Sequence, residues 1–173
     1  MVRNQLQPSS LWLTFSRRAR GIRSREDFEA YRRAGLLPSD QLHPTIGVKV
    51  YPAFLRGECD TAVFQAFREI EVAVRTAGSF SADDYGTDLM RKAFRPVNRP
   101  EKQTVSPGPL TDTSLPVAEQ EGMRDLFVGA IALFKNPSSH RIVRPDRAEA
   151  AEVIIFASHL LRMVDRLELR SSS

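Results

Sequence analysis

Late in the chain, Phe134-Lys135-Asn136-Pro137-Ser138-Ser139-His140-Arg141 gathers a cation, an amide, two hydroxyls and an imidazole into one short segment. Pro137 breaks the preceding helix and His140 follows Lys135 by five residues, which makes the group a tight turn between two apolar stretches. An imidazole titrates near neutral pH and can take or give a proton. Lys135 or Arg141 can neutralise charge that builds up on phosphate oxygens. The combination suits phosphodiester chemistry. The same residues also have a plain structural use: Lys135 complements the negative end of the preceding helix, Asn136 and Ser138 satisfy backbone groups, and His140 packs over the turn. Spacing alone leaves both readings open.

A second pair lies earlier. Glu71 and Arg75 are four residues apart on a helix and are expected to flank its apolar stripe, where an ion pair at that spacing is ordinary helix support. Of the other histidines, His43 precedes Pro44 and is expected to cap or pack at a helix start, and His159 falls on the flank of the last helix. The lone cysteine, Cys59, excludes an intrachain disulfide and a thiolate-rich zinc site, and points to the reducing cytoplasm. There is no phosphate-cradling glycine loop, zinc-protease helix, calcium loop or nucleophile elbow, so no metal and no cofactor is expected.

Helices must position these residues, because apolar side chains recur at three- and four-residue steps and strand-like alternation is absent. Val63, Ala66, Phe67, Ile70, Ala73, Val74 and Ala77 form a stripe from about Asp60 to Ala77, capped by Asp60 or Thr61 and ended by Gly78. Met123, Leu126, Phe127, Ala130, Ile131 and Phe134 form another from Val117 to Phe134, and Val153 to Leu167 a third within Asp146–Leu169. Shorter helices are expected after Ser24, after Pro44 with a break at Pro52 and a stop at Gly57, and from Asp84 to Phe94. Three long one-sided helices bury their stripes only against one another, which gives an all-α bundle of four to five main helices. The five prolines between Arg95 and Pro116 read as a long loop excursion. The organisation is then a flexible basic tail over residues 1–23, an accessory helix and linker over 24–40, the helical domain over 41–170, and a tail over 171–173.

Several ordered blocks resemble the Ymh-type family of bacterial and phage proteins, which is related to the HEPN superfamily. They are Leu42-His43-Pro44, Ala62 through Arg75, Gly86 through Phe94, and Leu126 through Ala130 followed by Phe134 through Arg141. The resemblance implies a HEPN-like bundle that dimerises, and a metal-independent endoribonuclease acting as a toxin or phage-defence component. In that superfamily an arginine, often followed by Asn, precedes a histidine by four to six intervening residues. Asn136 and His140 fit, and Lys135 stands where the arginine belongs, keeping the charge and losing the planar fork. Glu71 and Arg75 match an auxiliary acid and base of an earlier helix. Two protomers would bring their turns together into one cleft with two imidazoles. The implied partners are a second copy, RNA, and an antitoxin or defence-system protein. The alternative is a non-catalytic helical dimerisation module binding a partner protein or nucleic acid.

The 173 residues carry a formal net charge of +4. Residues 1–33 hold eight arginines and three acids, and the remainder is nearly neutral. Nucleic-acid binding by the helical domain therefore needs a local cluster, whereas an adaptor using the N-terminal arginines would lose binding with them. No run reaches the roughly 18 apolar residues of a membrane span, so a cytoplasmic protein is expected.

Overall fold

The computed structural model describes residues 23–97, 106–135 and 145–171, and every regular element among them is helical. Helix α1 (Arg25–Leu36) starts from a reciprocal cap: the Ser24 hydroxyl accepts from the Asp27 N–H at 3.1 Å, and the Ser24 N–H donates to the Asp27 carboxylate at 3.0 Å. After a single 3₁₀ turn at Ser39–Gln41 come α2 (Pro44–Lys49) and α3 (Tyr51–Arg56). They are the two halves of one path broken ahead of Pro52, which has no N–H to continue the ladder. Gly57, at a φ of 86°, ends α3 in the left-handed conformation that a side chain disfavours.

Helix α4 (Cys59–Ala77) is the centre of the molecule and packs against α2, α3, α5 (Gly86–Ala93), α7 (Arg147–Ser171) and the turn after α6 (Val117–Ala130). Its Ala62, Ala66, Phe67, Ile70 and Val74 are fully buried against Ile154, Ala157 and Leu160 of α7 (Arg147–Ser171). Removal of each large side chain from water contributes about 1.5–3 kcal/mol, which is what holds the long helices together. Contact on several sides widens the buried arc beyond the stripe. Glu71, expected on the flank, is only 5% exposed. At the start of α4, Glu58 occupies the cap position without a side-chain capping bond, its carboxylate accepting from Arg56 at 2.8 Å, and the Asp60 carboxylate accepts from the Thr61 N–H.

Helix α5 is Gly86–Ala93, two residues later at its start than the apolar pattern suggests. Asp84 is spent on closing the preceding turn, where it accepts from the Ser81 N–H and hydroxyl. The chain returning from the proline-rich excursion is tied to the far end of α5: the Gly108 N–H donates to Arg95 O at 2.8 Å and the Leu110 N–H to Ala93 O at 2.9 Å. Leu110 is buried there.

Helix α6 (Val117–Ala130) was expected to run unbroken to Phe134, but α-helical bonding stops at Ala130 and Ile131–Lys135 forms a wider π-turn. The extra residue per turn swings Phe134 and Lys135 inwards. Phe134 stacks on Phe67 with centroids 4.9 Å apart and meets the edge of Phe156 of α7. Seven α-helices are thus described, three of them eight residues or shorter. None is long and apolar enough to cross a membrane.

Candidate functional site

The π-turn delivers Lys135 to Glu71, 64 residues earlier in the chain, with Nζ 2.6 Å from Oε2. The same oxygen accepts the Gly86 N–H at 2.8 Å, and Oε1 accepts from the Arg75 guanidinium at 2.8 Å. Arg75 also donates from Nε to Asp84 O at 2.9 Å, which fixes the plane of its fork. One carboxylate therefore joins α4, the first residue of α5 and the end of the π-turn. Gly86 sits at a φ of 64°, and its left-handed backbone is what turns that N–H toward α4.

Burial alone would raise the Glu71 carboxyl above its ordinary range. The Lys135 ammonium, the Gly86 N–H and the Arg75 guanidinium outweigh it and hold the group below that range. Glu71 is thus an anion between two cations, and the cluster carries one net positive charge. Both cations reach the surface, with 15% of the Lys135 side chain and 23% of that of Arg75 exposed. A patch that is positive, preorganised and partly desolvated is suited to a phosphate oxygen.

Of the residues singled out from the sequence, Lys135, Glu71 and Arg75 come together here. Asn136, His140 and Arg141 lie outside the described residues. The pairing of Glu71 with Arg75 follows from their spacing, but no local signal in the sequence links either to Lys135. Gly86 was not singled out as a participant. The one hint was a glycine at a helix start, where a cap residue with a side-chain oxygen is more usual.

The other two histidines are placed differently. His43 caps α2: its Nδ1 accepts from the Thr45 N–H at 3.2 Å, so Nε2 carries the proton and donates to Asp165 at 2.8 Å. The His43 N–H donates to the buried Ser158 hydroxyl at 2.6 Å. These bonds dock α2 onto α7. His159 is exposed on α7. A further buried acid, Glu69, accepts from Lys49 and Gln65, both at 2.6 Å, and ties α2 to α4. Cys59 is buried.

A family model described as a protein of unknown function, Hypoth_ymh, matches residues 40–164, from the 3₁₀ turn to most of α7. No curated protein and no solved structure matches the chain.

Proposed function

The chain belongs to the Hypoth_ymh family, and we propose that it acts as a metal-independent endoribonuclease of HEPN type, a cytoplasmic homodimer serving as a toxin or phage-defence component. The observation that carries this reading is the Glu71 cluster. It unites the acid and base of the earlier helix with the cation that opens the Lys135–Arg141 segment, across 64 residues of chain. In the proposed reaction His140 takes the proton of a ribose 2′-hydroxyl as that oxygen attacks the adjacent phosphorus. Lys135 and Arg141 neutralise the charge on the phosphorane, and Asn136 orients the scissile group. The bond to the 5′-oxygen breaks as the partner's His140, brought into the same cleft, gives that oxygen a proton, and the products are a 2′,3′-cyclic phosphate and a 5′-hydroxyl. Each proton and charge is handled by a side chain, so the cycle calls for no metal.

The full chain incubated with single-stranded RNA and a chelator tests the proposal. Cleavage persists, His140→Ala loses about 10²-fold or more in rate, and Lys135→Arg retains activity because the charge is kept. Equal cleavage by His140→Ala overturns it.

A second reading is favoured by one observation. The Lys135 ammonium is largely buried on Glu71, as suits a clamp that fixes the turn of a non-catalytic dimerisation module. That reading predicts no cleavage by the wild type and partner binding that is indifferent to His140→Ala.

A further inference from the structure

Between the 3₁₀ turn and the middle of α7 lies a cleft of about 160 Å³, with Pro38, Leu42 and Ile155 as its apolar surface. Ile155, Ser158, His159 and Arg162 recur at helical spacing, so one face of α7 supplies one wall. Hydrogen bonds pin the two walls together at two points. Arg162 donates from Nη2 to Gln41 O at 2.8 Å, and the His43 N–H donates to the Ser158 hydroxyl at 2.6 Å.

The polar groups of the cleft are donors left over from those bonds. Ser158 is 3% exposed, and while its hydroxyl accepts from His43, its proton finds no acceptor among the described residues. A serine within a helix ordinarily spends that proton on a carbonyl one turn back. Nε and Nη1 of Arg162 are likewise without an acceptor among the described residues, and the exposed His159 ring bonds to nothing there. No carboxylate lines the cleft. A buried hydroxyl proton, a guanidinium oriented by Gln41 and an imidazole able to donate therefore border one partly apolar space. What matches them is a negatively charged acceptor with an apolar body.

Size and geometry narrow the class. A planar guanidinium pairs best with an anion that offers two oxygens in a plane, and a cavity of about 150 Å³ takes a benzene ring. We propose that this cleft binds a small organic carboxylate whose body is a ring or branched chain of about six carbons. Its oxygens meet Arg162 and Ser158, and its body lies on Pro38, Leu42 and Ile155. The arginine-rich residues 1–22 have the wrong sign to fill it. An occupant bridges the 3₁₀ turn to α7 and so reinforces the docking that His43 makes. The cleft shares no residue with the Glu71 cluster, and the inference is independent of the ribonuclease reading.

Sodium benzoate is the probe, with sodium chloride keeping the ionic strength constant, and the full chain is followed by melting and by histidine-ring NMR. The wild type binds with a Kd on the order of 1 mM, as suits so few atoms in an open cleft. At about twentyfold that concentration it melts a few degrees higher. The His159 ring resonance, identified by its loss in His159→Gln, shifts in a saturable way. Benzyl alcohol has the ring without the charge and inorganic phosphate the charge without the ring, and each binds at least about tenfold more weakly. Arg162→Gln weakens benzoate by about tenfold or more. Ile155→Trp narrows the cleft while leaving every polar group in place, and it weakens benzoate equally, so the test does not depend on the arginine variant alone. Absence of a saturable His159 shift up to about 50 mM benzoate, benzyl alcohol or phosphate that binds as tightly, or affinity unchanged in either variant overturns the proposal.

Discussion

A carboxylate 5% exposed is tolerated only when its lone pairs are occupied and its charge is matched, and Glu71 meets both conditions through Lys135, Arg75 and Gly86. Neutralisation of the acid leaves two cations facing each other without the anion between them. Glu71→Gln should cost about 3 kcal/mol at neutral pH, read from urea unfolding. The sign of its pH dependence follows from the lowered carboxyl. As pH falls, the unfolded chain binds the proton first, near the ordinary value of about 4.3, while the folded chain resists. The contribution is therefore complete above that value and fades as pH drops through the folded pKa. Wild type and Glu71→Gln should converge in acid; a gap that widens there would show that Glu71 is not the stabilising anion. At this scale the sequence was only partly legible. The spacing of Glu71 and Arg75 announced an ion pair, but a helical period placed Glu71 on a flank, because periodicity counts residues on one helix and is blind to what packs beside it. Lys135 could be flagged as a cation; its partner depended on a π-turn and on the crossing of three elements.

Helices were easier to read than residues because their signals are local. The Ser24 cap, the break at Pro52 and the stop at Gly57 each act within one turn of the residue responsible. What escaped was set by distant contacts, as with the early end of α6 at Ala130, where Phe134 is drawn onto Phe67. The excursion after α5 gives the clearest case. Nothing in a proline-rich run says that its single glycine is a packing contact, yet at Gly108 a Cβ would overlap the carbonyl oxygens of Lys92 and Ala93. That close approach lets the returning chain occupy the carbonyls at the end of α5 and seat Leu110 in the core. Gly108→Ala must push this strap off the helix, at a cost on the order of 2 kcal/mol or more. Gly122→Ala, where a Cβ meets nothing, should instead stabilise the monomer by about 1 kcal/mol. Melting of the two variants side by side checks the contrast, and equal effects would contradict the packing.

Across the whole molecule, charge is sharply divided along the chain. The first 22 residues hold four arginines and no acid, and the other 151 are electrically balanced. Affinity for a polyanion and chemistry on it can therefore be separated by truncation. If the four arginines each neutralise one phosphate, removal of residues 1–22 lowers the slope of log affinity against log salt by about 3 units for single-stranded RNA. Folding should survive the cut, since α1 begins at its own Ser24 cap and is joined to the start of α7 by Glu29 and Arg147 at 2.8 Å. Cleavage at saturating RNA should also survive, because Lys135 and His140 remain. An unchanged salt slope would mean that the Lys135 segment and Arg75 carry the phosphate contacts by themselves. A lost turnover number with an intact melting transition would place part of the chemistry in the N-terminal arginines, and the Glu71 cluster would then be a clamp for the fold.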